Sequence, residues 1–351
     1  MMKFSMLIIL VSFALSFFFV ALIIKISNKH TWFDTKDERK IHNGNVPRLG
    51  GLGFSAAFII VAVIITLVDK EFSPGLRFLF PILGLIIITC LGGIDDFHPL
   101  SPRIKLLIQC ACALLVILPG YTFTRPFFFE SGILAELGWL KYPLSFFWIV
   151  GMVNAVNFID GVDALGGGVS ALIALGYAAV FVLMGNGHPG MLICFCLAAV
   201  LLGFLIFNAP LPHARIFMGD GGSYFLGFTL ALLPFITHPD SSNTPPLFYI
   251  VALVLIPVYD TVAAIWRRLR DHQNISSPDR SHVHHKLINL GLSFKQVILV
   301  LYGLQIFLIA MVIFSIKTSG ALSIVLLLAA YAGCLIFYAT VHFLNRRILK
   351  P

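Results

Sequence analysis

The 351-residue chain is 59% hydrophobic and only 11% charged, with a mean hydropathy of +0.95. Soluble domains carry about 25% charged residues, so this composition excludes a large soluble protein and indicates a polytopic membrane protein. The net charge of +8 is spread over short loops; this is a membrane-orientation pattern, and no nucleic-acid partner is expected.

Apolar segments long enough to cross a bilayer, which takes about 20 residues in a helix, recur along the whole chain. The predicted spans are 5–26, 48–69, 76–94, 103–119, 143–158, 164–185, 189–207, 220–237, 246–267, 294–316 and 320–343. The expected fold is therefore all-α, a membrane helix bundle of about eleven transmembrane helices, or ten if the short segment 143–158 does not cross. Residues 1–351 are expected to form one membrane domain.

The basic residues predict the orientation of the bundle. Six of the 24 Lys and Arg fall on one side, and the other eighteen fall on the side that also holds eleven of the sixteen acids. The positive-inside rule makes that side cytoplasmic and places the N-terminus outside. The cytoplasmic loops predicted to carry the chemistry are 27–47, 95–102, 158–163, 208–219 and 268–293.

Two adjacent carboxylates, Asp95 and Asp96, follow the uncharged apolar run that ends at Cys90. An ionised carboxylate in hydrocarbon costs several kcal/mol, so the pair must lie at an aqueous boundary or carry a function. With Lys105 nearby, the pair suits a site for a divalent metal and phosphate. The competing interpretation is an acid pair at a helix end, balanced by basic neighbours.

A second group, Asn157, Asp160 and Asp163, recurs every three residues and would share one face of a helix. The glycines that follow indicate a tight turn. Alternatively, Asp160 or Asp163 only caps the next helix.

A third group begins with Asn208 and Phe217 and centres on Asp220, which lies between Gly219 and Gly221 just before an apolar helix. Backbone N–H groups at such a helix start can bind phosphate, and an acid there can carry the metal that bridges it. A capped helix with a glycine turn is the alternative. Phe217 could stack on a base or pack against neighbouring helices.

A fourth group places His282, His284 and His285 between Arg280 and Lys286. We favour a cationic clamp for a substrate phosphate over a zinc site, because one short loop rarely supplies a full zinc shell. The segment from Asp34 to Gly53, which includes Pro47 and Gly50, is either a basic loop attracted to anionic lipid or part of the substrate site.

Taken together, the order and membrane side of these motifs resemble those of the polyprenyl-phosphate N-acetylhexosamine-1-phosphate transferase family. The matching motifs are Pro-X-X-Gly-Gly (Pro47 to Gly51), the Asp95-Asp96 pair followed by Lys105, Asn-X-X-Asp-Gly-X-Asp (Asn157 to Asp163), Phe-Met-Gly-Asp-X-Gly-Ser (Phe217 to Ser223) and His-X-His-His (His282 to His285). The last motif, in its Ser-Pro-Asp-Arg-X-His-X-His-His form, is similar to the UDP-N-acetylglucosamine branch (WecA/TagO type). Ala164 stands where the family usually has Gly.

The resemblance implies Mg²⁺-dependent transfer of N-acetylglucosamine 1-phosphate from UDP-N-acetylglucosamine to undecaprenyl phosphate. The products would be UMP and a lipid-linked diphospho-sugar that initiates cell-envelope polysaccharide synthesis. The expected location is the bacterial inner membrane, with the active site facing the cytoplasm. Mn²⁺ is an alternative ion, membrane lipid is a further partner, and a homodimer stays open.

Two other functions stay open at this point. One is the same reaction with phospho-MurNAc-pentapeptide or another UDP-N-acetyl sugar. The other is an ion-coupled membrane transporter, which would place acids at mid-span and repeat its sequence across two halves.

The resemblance also implies roles for individual residues. Asp220 and Asn157 would hold Mg²⁺, while the catalytic candidates are Asp95, Asp96, Lys105, His284 and His285, the first three at the lipid phosphate. The substrate-binding candidates are Asn208, Phe217, Asp160, Asp163, Arg280, His282, Pro47 and Gly50. We favour direct attack by the lipid phosphate over a covalent aspartyl intermediate, since direct attack needs only positioning and charge neutralisation.

Overall fold

A computed structural model describes residues 2–33, 46–69, 75–124, 137–185, 189–209, 213–235, 245–274 and 281–349, and helices are the regular elements throughout these ranges. The α-helices are α1 (Met2–His30), α2 (Gly50–Val68), α3 (Leu79–Phe97), α4 (Pro102–Ile117), α5 (Lys141–Ile159), α6 (Leu165–Leu183), α7 (Gly190–Asn208), α8 (Gly219–Leu232), α9 (Leu247–Leu253), α10 (Leu255–Arg270), α11 (Val283–Asn289), α12 (Phe294–Lys317) and α13 (Gly320–Leu349). Short 3₁₀ turns occupy Gly75–Phe78, Gly138–Leu140 and Leu233–Phe235. The predicted all-α class is confirmed.

Each predicted span coincides with helix, and the described residues contain eight helices that are long and apolar enough to cross a membrane. The bent pair α9 and α10 makes a ninth if it is one span. The remaining two predicted spans coincide with α4 and α8, which have 16 and 14 residues and are shorter than a typical spanning helix. The chain is therefore a multi-pass membrane protein, while the count of eleven and the orientation stay predictions.

The predicted span 246–267 is broken into α9 and α10, which meet at an angle of 81°. Proline explains the break: Pro257 has no N–H to donate to the carbonyl of Leu253, and its ring would clash with that carbonyl in a continuous helix. Gln305 on α12 donates its side-chain amide to the same carbonyl at 2.8 Å. The bend thus follows from the sequence, and the Leu253 carbonyl that it leaves without a helical donor is hydrogen-bonded by a neighbouring helix.

Helix α8 lies at the centre of the bundle, packed against α2, α3 and α5 and buried from Gly221 to Leu232. Glycines allow its first turn to approach its neighbours closely. A Cβ on Gly51 of α2 would overlap the backbone of Gly222, and one on Gly92 of α3 would overlap the backbone of Asp220. This packing brings the start of α8 to the end of α3, where Asp95 and Asp96 lie.

Candidate active site

Asp95 is tied into the connection between α3 and α4. Its Oδ1 accepts a hydrogen bond from the Leu100 amide at 2.6 Å, and its Oδ2 lies 2.6 Å from Lys105 Nζ. Ser101 caps α4 by accepting from the Ile104 amide, and Pro102 occupies the first helical position, so Lys105 is held in the first turn. Asp95 therefore fixes the position of the ammonium group.

Asp96 caps the N-terminus of α8 from the neighbouring helix. Its two oxygens accept hydrogen bonds from the amides of Asp220 (2.8 Å) and Gly221 (3.0 Å), and its side chain is 1% exposed. Gly219, at φ +75°, is needed here, because a Cβ would lie 2.5 Å from Asp96 Oδ2. These two amides are bonded to Asp96, and phosphate binding at the start of α8 stays a prediction.

Asp220 is the more accessible carboxylate of this group, with 24% of its side chain exposed. Asn157 donates its Nδ2 to Asp220 Oδ1 (3.1 Å) and to Ser223 Oγ (2.9 Å), and Lys105 Nζ lies 3.9 Å from Asp220 Oδ2. The sequence-predicted metal pair is thus brought together from positions 63 residues apart. We call Asp95, Asp96, Lys105, Asn157 and Asp220 the acidic centre.

A metal ion was predicted at Asp220 and Asn157. Among the described residues, no three His, Cys, Asp or Glu side chains are arranged to hold an ion by themselves. Mg²⁺, however, is typically held by one or two carboxylates together with substrate phosphates and waters. A partly exposed carboxylate next to an amide fits that pattern, because it leaves most coordination positions to substrate and solvent.

The turn between α5 and α6 carries Asp160 and Asp163 and ends at Ala164, which adopts a left-handed φ of +63°. Two side chains hold this turn by the main chain of Ala164. Asn208 Oδ1 accepts from the Ala164 amide at 2.8 Å, and Tyr302 Oη donates to its carbonyl at 2.5 Å.

Asn208 is buried, and its Nδ2 also donates to the Ile216 carbonyl at 2.9 Å. Its amide thus links the Ala164 turn to the segment before α8, and its role in substrate binding stays a prediction. Tyr302 was missed by sequence reasoning, because nothing in its local sequence distinguishes it from the apolar residues of α12.

Asp160 packs beside Gly166 at the start of α6. Burial, together with repulsion from Asp220, Asp163 and Asp96, raises the pKa of Asp160 well above its usual range. The turn and the acidic centre therefore share one electrostatic environment with a surplus of negative charge. A divalent cation would offset that surplus.

The histidine segment, His282 to Lys286, begins at the start of α11. His282 Nδ1 lies 2.7 Å from Asp260 Oδ2, and the Val283 amide donates to Asp260 Oδ1 at 2.8 Å. His284 packs between the rings of His282 and His285, with centroid distances of 5.9 and 4.3 Å. Asp260 was not among the site residues predicted from the sequence.

His284 is 1% exposed, and neither of its ring nitrogens has a hydrogen-bond partner among the described residues. Burial is the main cause that lowers the pKa of His284 to about 3, and the neighbouring His285 lowers it further. The imidazole is therefore neutral at pH 7 and supplies no positive charge to the predicted clamp, although its part in catalysis stays a prediction, as does that of His285. Arg280, the arginine of that clamp, lies outside the described residues.

The predicted segment from Asp34 to Gly53 pairs, at Pro47 and Gly50, with the segment before α8 through main-chain hydrogen bonds. The Phe217 amide donates to the Pro47 carbonyl at 2.8 Å, and the Gly50 amide donates to the Phe217 carbonyl at 3.0 Å. Pro47 and Gly50 are buried there, and Phe217 is half-buried. Residues 34–45 of the same predicted loop lie outside the described ranges.

Comparison with known proteins finds a matching family model and relatives with similar names. A family model described as glycosyl transferase family 4 matches residues 78–238. A probable undecaprenyl-phosphate N-acetylglucosaminyl 1-phosphate transferase of Bacillus subtilis (strain 168) is 37% identical over 77% of this chain and 73% of its own length. An undecaprenyl-phosphate alpha-N-acetylglucosaminyl 1-phosphate transferase of Escherichia coli (strain K12) is 30% identical over 78% and 73%, respectively. A decaprenyl-phosphate N-acetylglucosaminephosphotransferase of Mycolicibacterium smegmatis is 31% identical over 76% and 70%.

Proposed function

The chain belongs to the polyprenyl-phosphate N-acetylhexosamine-1-phosphate transferases of glycosyl transferase family 4 and is a sugar-phosphate transferase, and from this membership we propose its reaction. It transfers N-acetylglucosamine 1-phosphate from UDP-N-acetylglucosamine to undecaprenyl phosphate and releases UMP. The observation that carries this proposal is the 37% identity, over 77% of the chain, to a relative named for that donor sugar and acceptor lipid. The lipid-linked product would initiate cell-envelope polysaccharide synthesis.

The location of the acidic centre supports a reaction between a lipid and a water-soluble nucleotide. Asp95 and Asp96 lie in the last turn of α3, a helix long and apolar enough to cross the membrane, and Asp220 lies in the first turn of α8. A lipid phosphate held at this level reaches the same residues as a nucleotide arriving from solvent. We place this end of the bundle on the cytoplasmic side of the bacterial inner membrane, because the basic loops are on that side.

Direct attack by the lipid phosphate on the β-phosphorus of the UDP-sugar is the mechanism that the hydrogen bonds support. All four oxygens of Asp95 and Asp96 accept hydrogen bonds or ion pairs from the protein, so both carboxylates are held in place and can serve as positioning groups. Phosphoryl transfer depends mainly on positioning and charge neutralisation. Lys105, which lies between Asp95 and Asp220, is the cation placed to offset the charge of the lipid phosphate.

Asp220 and Asn157 would hold Mg²⁺, or Mn²⁺ as the alternative ion. When bound, the ion would supply charge neutralisation on the diphosphate oxygens. Ser223 accepts a hydrogen bond from Asn157 and so orients its amide beside Asp220. The surplus negative charge around Asp160 supports a cation requirement.

The test is an assay of the purified protein with undecaprenyl phosphate, Mg²⁺ and a panel of UDP-sugars. We expect UMP release and a lipid diphospho-sugar from UDP-N-acetylglucosamine, and neither product when undecaprenyl phosphate or Mg²⁺ is omitted. Turnover of UDP-MurNAc-pentapeptide or another UDP-N-acetyl sugar, with none of UDP-N-acetylglucosamine, would reject the proposed donor and keep the reaction type.

A further inference from the structure

Asp260 is a buried carboxylate that lies outside the sequence motifs described above. It lies within α10 and is only 2% exposed, and both of its oxygens are directed at the start of α11. An ionised carboxylate inside a protein is costly unless it is paired and hydrogen-bonded. Here the two partners are the His282 ring and the Val283 amide, so the carboxylate connects α10 to the histidine segment.

The hydrogen bond to Asp260 determines which nitrogen of His282 is available. Because the carboxylate accepts, the Nδ1 proton of His282 points at Asp260, which leaves Nε2, on the far side of the ring, as the acceptor of the neutral tautomer. Among the described residues, Nε2 makes no hydrogen bond. A carboxylate that fixes the tautomer of a functional histidine in this way affects activity without touching substrate.

Ring contacts link His282 to the turn that carries Asp160 and Asp163. Its ring is stacked parallel to that of His284, with an interplanar angle of 7°, and lies 5.4 Å from the ring of Phe158 at the end of α5. His284 in turn lies against the turn itself, since a Cβ on Gly161 would be 2.5 Å from His284 Nε2. A tilt of His282 would therefore disturb the rings next to the acidic turn.

We propose that Asp260 is a positioning residue for the transferase reaction. It holds His282 with Nδ1 protonated, so that Nε2 accepts a hydrogen bond from a hydroxyl or amide group of the UDP-sugar, and it anchors the first turn of α11. This inference rests on the proposed function for the identity of the ligand. It does not depend on which UDP-N-acetyl sugar is used.

The substitution Asp260→Asn tests the tautomer directly, because Asn keeps an acceptor for the Val283 amide but offers His282 Nδ1 a donor. The Nδ1 proton would then move to Nε2, and the acceptor would be lost. We expect kcat to fall about 100-fold, with a smaller change in KM and an unchanged thermal unfolding midpoint. Thr261→Val, which changes the next buried residue on α10, is the matched control and should keep wild-type kcat.

A double-mutant cycle separates positioning from a general structural role. If Asp260 acts through His282, then Asp260→Asn in a His282→Ala background should cause no further loss of kcat. Three results would each overturn the proposal. The first is a kcat in the double variant that equals the product of the two single losses, and the second is a wild-type kcat in Asp260→Asn. The third is a loss of kcat accompanied by a lowered unfolding midpoint. If Asp260→Asn does not yield folded protein, Asp260→Glu, which keeps the charge but displaces the carboxylate by one methylene from His282 Nδ1, should also lower kcat and should cause no further loss in the His282→Ala background.

Failure of the proposed function would be visible separately in the wild-type enzyme. If the wild type turns over a UDP-sugar other than UDP-N-acetylglucosamine, the donor assignment fails, and the Asp260 cycle is measured with the sugar that is used. The two conclusions are therefore decided by different measurements.

Discussion

The acidic centre and the histidine segment solve the problem of burying polar groups in different ways. In the acidic centre the carboxylates are hydrogen-bonded to other elements, as Asp96 is to the first amides of α8. In the histidine segment Asp260 holds His282, whereas His284 is buried with neither ring nitrogen hydrogen-bonded within the described residues. The difference follows from charge: a buried ion without partners costs far more than a neutral imidazole without partners. Ionised groups are therefore fixed by the fold, and a neutral histidine can be left for another task.

The largest effect that separates the two regions is expected for Asp220→Ala. This substitution removes the more accessible carboxylate of the acidic centre and leaves Asn157 with only Ser223 as an acceptor. We expect a loss of turnover on the order of 1000-fold, with the Mg²⁺ dependence of any residual activity altered. The measurement is UMP release against Mg²⁺ concentration. A wild-type Mg²⁺ titration would refute the assignment of the metal to Asp220.

A smaller effect on turnover is expected for Asp95→Asn. The amide can still accept from Leu100 but loses the charge that holds Lys105, so the ammonium is no longer fixed at 2.6 Å. We expect turnover to fall about 100-fold while UDP-sugar binding is largely kept. Calorimetric titration of the variant with the UDP-sugar, next to the turnover assay, checks this. Loss of nucleotide binding would instead indicate that Asp95 contributes to the metal site.

Asp96→Ala should act on stability, since it removes the cap of α8 and leaves two partly buried amides without acceptors. We expect a loss of about 2 kcal/mol in the free energy of unfolding. Thermal or denaturant unfolding in detergent measures it, and Asp271→Ala is the control, because this exposed acid bonds only to neighbouring Arg270 among the hydrogen bonds described. An unchanged unfolding curve for Asp96→Ala, with lost turnover, would assign Asp96 to catalysis after all.

The sequence predicts the helices of this protein better than it predicts the hydrogen bonds between them. Apolar length alone places a helix at each of the eleven segments, and the motif pattern brings Asp220 to Asn157 as expected. The partners of Asp96 could not be predicted, because they depend on how closely α3 packs against α8, which the glycine at position 92 allows. The bond from Tyr302 to Ala164 joins residues 138 positions apart and leaves no local pattern.

The pH dependence of stability tests whether His284 is buried as a neutral group. Its pKa is lowered from the usual 6.5 to about 3. Below pH 6.5 the unfolded chain therefore binds a proton that the folded chain does not, and His284 makes the protein less stable as the pH falls from 6.5 toward 3. Between pH 7 and 5.5 this amounts to about 1 kcal/mol, which His284→Gln should remove. Unfolding curves at the two pH values give the difference; equal pH dependence in wild type and variant would mean that His284 is protonated or paired in the folded state.

The smallest expected effect concerns Ala164, the left-handed residue that joins the acidic turn to α6. At φ +63° an alanine is strained by roughly 1–2 kcal/mol, and glycine is not. Ala164→Gly relieves this strain but gives the unfolded chain more freedom, which opposes the gain by about 0.4–1 kcal/mol. Because Asn208 and Tyr302 bond only the main chain of Ala164, both hydrogen bonds survive the substitution. We therefore expect a net stabilisation of about 0.5 kcal/mol with unchanged turnover, measured by unfolding and by UMP release. A marked loss of turnover would show that the Ala164 methyl group itself, and not only the two hydrogen bonds, holds Asp160 and Asp163 in place beside the histidine segment.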